Sequence, residues 1–135
     1  MKRLVAEQPS YFSHKLTLIT ILDTTACGGA LIETLWWPDW KEAMQKSNCG
    51  YVFASSKADS LNVVIALKYE NNDAPVLVLP FSPNHIYESG IPHGNLPFKL
   101  LVNKSGKIIR GWGPVKDSVL AARISFVIDS VANRQ

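Results

Sequence analysis

One cysteine of this chain lies between a predicted strand and a predicted helix, where a thiol can take part in chemistry. Residues 16–22 form an apolar run, residues 23–26 read Asp-Thr-Thr-Ala, and Gly28 and Gly29 follow Cys27. The unpaired N–H groups and positive end of a helix favour thiolate over thiol, and thiolate is the nucleophilic form. Glycines let a substrate approach closely. We predict that Cys27 is catalytic; the alternative is a small buried apolar residue.

The second cysteine, Cys49, is predicted to be structural. The intervening helix of about 18 residues would span about 27 Å and place Cys49 at the far end of a parallel sheet. A disulfide requires Cα atoms within about 7 Å, so we expect no bond between Cys27 and Cys49. His14 and His85 show no metal-ligand spacing, and no glycine-rich nucleotide motif is present. The sequence therefore predicts neither a metal nor a cofactor.

The composition is that of a folded domain. The chain has 135 residues, 47% of them hydrophobic, and a net charge of +3. Lysine and arginine are scattered and no apolar run is long enough for a membrane span, so we expect no nucleic-acid partner and no membrane span. The N-terminus lacks the apolar core of a signal peptide, although a removed leader would leave the same sequence.

Apolar periodicity predicts the order β-α-β-α, then a short strand, a long loop, a β-hairpin and a closing helix. Residues 1–14 are predicted to be an irregular N-terminal arm and residues 15–135 a single domain. The predicted strands cover residues 16–22, 51–54, 75–79, 97–102 and 107–112, and the last two flank a turn at Asn103–Gly106. The long loop spans residues 80–95.

Two passages resemble the thioredoxin fold, and within it the TlpA-type redoxins, over about residues 15–132. Cys27-Gly28-Gly29-Ala30-Leu31-Ile32-Glu33 is similar to the C-x-x-C of that family, which a leucine and acidic residues follow. Asn95-Leu96-Pro97-Phe98, leading into LLVNKSGKII, is similar to its cis-proline strand and hairpin. The resemblance implies an α/β, thioredoxin-like fold: a central mixed β-sheet flanked by helices on both faces.

The resemblance also implies a substrate site. Pro97 would be cis and lie beside Cys27, and Leu96 would offer its backbone to an extended peptide. Thr25 and Gly28 complete the predicted substrate-binding residues. The expected partners are protein or small-molecule thiols and disulfides. A monomer or weak dimer is expected, and the resemblance implies the periplasm or cell envelope.

This sequence departs from the family at three positions. Ala30 replaces the second, resolving cysteine, Ala26 replaces the usual tryptophan, and Ile21 lies near the position of a buried carboxylate. Without a resolving thiol, a mixed disulfide at Cys27 has no neighbour to release it. Thiol-disulfide exchange through a single cysteine is therefore expected. The alternative is a redox-inactive domain that binds a protein segment at Leu96 and Pro97.

Other chemistries match fewer residues. Thr24-x-x-Cys27 resembles the peroxiredoxin T-x-x-C, but Thr20 replaces the expected proline, and Arg110 is a poor substitute for the expected arginine. His93 near Cys27 would give an activated nucleophile, or half of the copper site of copper-delivering members of this fold. The second cysteine of that copper site is absent, and a solvated histidine is the simpler interpretation.

Overall fold

A computed structural model of the chain describes residues 2–21, 37–56, 60–69, 74–79, 98–112 and 118–134. Five strands form one sheet in the order β3-β2-β1-β4-β5. The strands are β1 (Leu16–Ile21), β2 (Cys49–Ser56), β3 (Val76–Leu79), β4 (Phe98–Asn103) and β5 (Ile108–Trp112). The described α-helices are α1 (Lys2–Glu7), α2 (Trp37–Lys46), α3 (Ser60–Tyr69) and α4 (Ser118–Arg134), and a 3-10 helix covers Pro9–Phe12.

The sheet is mixed, as expected. Strand β1 runs parallel to β2, β2 runs parallel to β3, and β4 is antiparallel to both β1 and β5. All six residues of β1 are buried, because helices cover both faces of the sheet at this central strand. The prediction of an antiparallel strand from about residue 97, followed by a hairpin to residue 112, is confirmed.

The strand ends define two ends of the sheet. The upper end is defined by the terminal strand residues Ile21, Ser56, Leu79, Phe98 and Trp112. The register pairs Ile21 with Ala54 and Phe98, Ser56 with Leu79, and Lys99 with Trp112. The lower end is defined by Leu16, Cys49 and Asn103, which the register also aligns. The upper end therefore carries the carboxyl ends of all three parallel strands.

Side chains that alternate along the strands supply two core layers. On one face the strands pack against α2, α3 and α4, whose buried residues include Trp40, Met44, Val63, Leu67, Ala121, Ile124 and Ile128. On the other face they pack against α1 and the 3-10 helix through Leu4 and Phe12. The spacing of Ala121, Ile124 and Ile128 is that of one helix face. Helices on both faces were expected, and this expectation is confirmed.

The structure differs from the irregular arm predicted for residues 1–14, because Lys2–Glu7 is α-helical and Pro9–Phe12 is a 3-10 helix. Leu4 and Phe12 are buried, so this segment belongs to the core. Gln8 Nε2 donates to the carbonyl of Val78 at 3.3 Å, and Tyr11 Oη donates to that of Val76, also at 3.3 Å. These bonds occupy backbone acceptors on the outermost strand β3, which limits pairing of that strand with other chains.

The hairpin turn owes its shape to Asn103 and Gly106. The N–H of Asn103 donates to the carbonyl of Lys107 at 2.9 Å, and the N–H of Gly106 donates to the carbonyl of Asn103 at 3.0 Å. Gly106 has φ of 90°, a conformation that glycine adopts without a Cβ clash. A register shift between Leu101 and Val102 adds a β-bulge to the hairpin.

Candidate functional site

Two chain segments that carry the predicted site residues adjoin the same end of the sheet. Ile21, the last residue of β1, is the register partner of Phe98, the first residue of β4. In the sequence, Cys27 comes six residues after Ile21, and Pro97 comes directly before Phe98. Both segments therefore connect to the upper end of two adjacent strands.

The predicted site residues themselves lie outside the described residues. They are Thr25, Cys27, Gly28, Leu96 and Pro97, together with Ala30 and His93. Their roles, and the cis conformation of Pro97, stay predictions. The structure describes the upper end of the sheet, to which the segments that carry them connect. Ligands of open α/β sheets bind outside the carboxyl ends of the parallel strands, and that is this end.

A buried polar cluster lies within the sheet one residue below the upper end. It consists of Thr20, Tyr51 and Lys99, and Trp40 of α2 packs over it. Thr20 Oγ1 and Tyr51 Oη are 2.8 Å apart and hydrogen-bonded, and Thr20 is the register partner of Lys99. The rings of Trp40 and Tyr51 are 6.3 Å apart between centroids. Trp40 is fixed in turn, because its Nε1 donates to the carbonyl of Ala121 at 3.2 Å.

Lys99 is the most unusual member of this buried polar cluster. Its side chain is 0% exposed, and its Nζ lies 5.3 Å from the centroid of the Trp40 ring. Burying an ammonium is costly unless neighbours compensate, and the face of an aromatic ring attracts a cation. A charged Lys99 would favour the anionic form of acidic groups close to it.

Sequence reasoning did not identify Lys99. The available signal was a lysine inside an apolar strand, FKLLV, in the middle of the predicted sheet. Lysine is seldom fully buried, so a lysine at such a position calls for a specific reason.

The architecture is shared with solved structures of redox proteins. Peroxiredoxin Q from Xanthomonas campestris superposes with a TM-score of 0.66 at 15% identity, over 92% of this chain and 83% of that one. The thioredoxin domain of a thiol-disulfide oxidoreductase from Bacteroides vulgatus gives 0.62 at 17% identity, over 85% and 80%. The chain has a thioredoxin-like fold.

A third structure with this fold is a thiol:disulfide interchange protein from Bacteroides sp., with a TM-score of 0.60 at 15% identity over 87% of this chain and 76% of that one. No protein-family model and no curated protein sequence matches the chain. The likeness therefore establishes the thioredoxin-like fold, while the chemistry depends on the residues of this chain.

Two positions of this thioredoxin-like fold bear on that chemistry. Ile21 is buried in an apolar cluster with Ile19, Val52 and Ala54, so no carboxylate occupies that position beneath the upper end. Arg110 is exposed on β5 and paired with Leu101, two residues before the upper end at Trp112.

Cys49 lies at the lower end of the thioredoxin-like sheet, opposite Leu16. It is a free thiol, 7% exposed, and its Sγ donates to the carbonyl of Gly50 at 3.4 Å. Burial raises the pKa of the Cys49 thiol to about 12, and a backbone hydrogen bond with Leu18 opposes the rise only partly. At neutral pH this cysteine is a protonated core residue, in agreement with the structural role predicted for it.

Two further features are absent from the part of the chain that the structure describes. No group of three or more His, Cys, Asp or Glu side chains within the described ranges is arranged to hold a metal ion. None of the helices in those ranges combines the length and the apolar character needed to cross a bilayer.

Proposed function

We propose that this protein carries out thiol-disulfide exchange through Cys27 alone, with no resolving cysteine. The observation that carries the proposal is the register of Ile21 with Phe98, because the segments of Cys27 and Pro97 adjoin those two residues. The thioredoxin-like fold supports it, since the neighbours from both Bacteroides sources are named for thiol-disulfide chemistry.

The chemistry is a single exchange step. The Cys27 thiolate attacks one sulfur of a substrate disulfide, a new mixed disulfide forms, and the other sulfur leaves as a thiolate. In this proposal, the side chain of Lys99, buried near the upper end of the sheet, would favour the anionic nucleophile. Ala30 provides no second thiol, so a thiol from solution must attack the mixed disulfide to release the substrate and regenerate Cys27.

Substrate binding would use the segment that enters β4. The backbone of Leu96, held by a cis Pro97, would pair with an extended peptide, while Thr25 and Gly28 would contact the groups next to the sulfur. Strand addition of this kind supplies affinity through main-chain hydrogen bonds and places a peptide disulfide beside a fixed thiol. Proteins or small-molecule thiols and disulfides are therefore the proposed substrates.

The proposal is tested by incubating the protein with oxidised glutathione and measuring intact mass and the modified peptide. The expected result is one glutathione on Cys27, removed by added thiol. Cys49→Ala should give the same adduct, and Cys27→Ser should give none. Absence of the adduct on a folded protein would contradict thiol-disulfide exchange, and so would modification of Cys49 alone.

Two alternative functions predict different outcomes. A redox-inactive binding domain would bind a peptide at Leu96 and Pro97 but would form no adduct at Cys27. A peroxiredoxin-like enzyme, suggested by Thr24-x-x-Cys27 and by the peroxiredoxin Q neighbour, would convert Cys27 to a sulfenic acid with one equivalent of hydrogen peroxide. Because Arg110 is exposed on β5, peroxidase chemistry is less favoured than thiol-disulfide exchange.

A further inference from the structure

The lower end of the sheet carries an open pocket of about 540 Å³, far along the strands from the proposed thiol site. It lies beside the amino ends of β1 and β2 and the turn between β4 and β5. The pocket is lined by Ser13, Lys15, Asn48, Asn103, Lys104 and Ser105. None of these six residues is acidic, and every one can donate a hydrogen bond through its side chain.

The sheet register brings these residues together. Lys15 directly precedes β1, Asn48 directly precedes β2, and Lys104 directly follows β4. Leu16 is aligned with both Cys49 and Asn103, so these three positions lie side by side on adjacent strands. Neighbouring strands are about 4.8 Å apart, so the three positions span about 10 Å. Lys15 and Lys104 extend from two of these adjacent strands, so their flexible side chains can reach the same small ligand.

Hydrogen bonds orient one of the donors. Asn103 Oδ1 accepts from the N–H of Ser105 at 3.1 Å, from Ser105 Oγ at 2.8 Å and from the N–H of Lys107 at 2.9 Å. The carbonyl side of the amide is therefore directed into the turn, and its NH₂ side is directed away from it. Asn48 lies two residues beyond the end of α2 with φ of 52°, the left-handed conformation common after a helix, and its N–H donates to the carbonyl of Gln45 at 3.4 Å.

The surrounding charges favour an anion. Lys107, a third lysine, follows in the same turn. On the neighbouring helices, Asp129 accepts a hydrogen bond from Ser47 Oγ at 3.4 Å. Glu42 forms an ion pair with Lys46 at 3.5 Å. Both carboxylates thus have partners of their own.

We propose that this pocket binds the phosphate group of a small soluble compound, such as a phosphate monoester or a diphosphate. Two ammonium groups supply the charge that a dianion requires, while the Asn103 NH₂ and the Ser13 hydroxyl supply further donors to its oxygens. The pocket volume exceeds that of one phosphate and leaves room for a second phosphoryl group or a small organic part. The site is independent of Cys27 and of the thiol chemistry proposed for it.

Calorimetric titration with inorganic pyrophosphate at low ionic strength tests this site on the whole chain. The starting protein should bind it saturably, and the Lys15→Gln/Lys104→Gln variant should bind at least about tenfold more weakly, because hydrogen bonds to charged groups contribute strongly. The matched control is Lys68→Gln/Arg123→Gln, which removes the same charge from exposed positions on α3 and α4 and should bind as the starting protein does. Equal melting temperatures of the three proteins would show that the substitutions weaken binding at the pocket and do not destabilise the fold.

Changes in amide NMR chemical shifts locate the binding site. Pyrophosphate should shift the amides of Asn48, Asn103, Lys104 and Ser105 and leave those of α3 unchanged. Equal weakening in the pocket variant and the charge control would overturn the proposal, as would shifts spread over all lysines or an absence of saturation at millimolar pyrophosphate.

A lipid headgroup offers the same phosphate chemistry, and sedimentation with vesicles of phosphatidylcholine and phosphatidic acid separates the two sources. The proposal expects pyrophosphate binding without sedimentation. Sedimentation that the pocket variant abolishes, without pyrophosphate binding, would overturn the assignment to a small soluble compound.

Discussion

The two ends of the sheet hold their lysines in opposite ways. Near the upper end, Lys99 is fully buried beneath the Trp40 ring, whereas at the lower end Lys15 and Lys104 are exposed around an open pocket. A buried cation acts through a low dielectric on groups that the fold holds nearby, and salt screens it weakly. Exposed cations attract ligands from solution and are screened by salt. The first arrangement suits activation of a fixed group, and the second suits capture of an anion.

The two cysteines also belong to opposite ends of the sheet. Cys27 belongs to the segment that leaves β1 at the upper end, and Cys49 begins β2 at the lower end in an apolar core. Residue type is the same at both positions, so reactivity depends on the surroundings of each sulfur. Substitutions near each end of the sheet can test this contrast.

The largest expected effect is a new activity in Ala30→Cys. Residues three apart in a helical turn share a face, so the introduced thiol should form a reversible disulfide with Cys27. The starting protein should be poor at catalysing insulin reduction by dithiothreitol, and the variant should be clearly better, because it can release its own mixed disulfide. Mass spectrometry with and without reductant detects the bond. Two reduced thiols in the folded variant under oxidising glutathione would show that Cys27 is not at a redoxin-type helix start.

The next effect concerns stability at alkaline pH. The folded pKa of Cys49, about 12, exceeds the ordinary cysteine value. The folded state therefore holds the thiol proton more tightly, and the resulting stability is complete below about pH 8.5 and is lost as pH rises toward the folded pKa. Above that pH the free energy of unfolding should fall by up to about 1.4 kcal/mol per pH unit. The accumulated loss should reach about 2 kcal/mol by pH 10.

Urea unfolding at several pH values measures this loss against Cys49→Ala, which lacks the titrating thiol and retains the other ionisable groups. The free energy of unfolding of the starting protein should fall more steeply with pH than that of the variant. Parallel pH profiles would contradict the burial of the Cys49 thiol in the folded state.

A smaller effect is expected when the buried cation is removed. Lys99→Met keeps the length of the side chain but removes its charge, so the Cys27 thiolate should become less favoured. Alkylation of Cys27 at neutral pH should slow about three- to tenfold, since one pKa unit changes the thiolate fraction about tenfold. The pH profile of alkylation should move upward in the same variant. The control is Lys68→Met, at an exposed position on α3. Equal rates of Cys27 alkylation in the two variants would show that Lys99 does not activate Cys27.

The smallest effects should come from two tyrosine-to-phenylalanine changes, Tyr51→Phe and Tyr11→Phe. The first is expected to have the larger effect of the two. Tyr51→Phe removes the hydroxyl that is hydrogen-bonded to buried Thr20 and should lower the free energy of unfolding by about 1 kcal/mol. Tyr11→Phe, which removes the partly buried bond to Val76, should cost less. Chemical unfolding compares the two variants, and a larger loss in Tyr11→Phe would contradict the importance assigned to the buried polar cluster.

The strands and their directions could be predicted because each is a local apolar run and the hairpin has turn residues at Asn103 and Gly106. The N-terminal helix could not, because Lys2–Glu7 is too short for helix propensity to decide, and it depends on the burial of Leu4 against the sheet. The burial of Lys99 also escaped prediction. It requires the register with Thr20 and the packing of Trp40, which come from distant parts of the chain.

The candidate sites divide in the same manner. Cys27 and Pro97 were found from local motifs, whereas the lower pocket combines Lys15, Asn48 and Lys104 from three separate segments. No spacing in the sequence links these three residues, because their proximity arises from pairing between β2, β1 and β4.

The most direct test of the central claim compares the labelling rates of the two cysteines in the folded protein at pH 7. With its pKa at about 12, the Cys49 thiol is almost entirely protonated. Even an ordinary pKa at Cys27 would give about a thousandfold larger thiolate fraction. Iodoacetamide labelling followed by peptide mass spectrometry should therefore modify Cys27 almost completely before Cys49 is detected. Labelling that favours Cys49, or equal inertness of both thiols, would contradict a nucleophilic Cys27 at the upper end of the sheet.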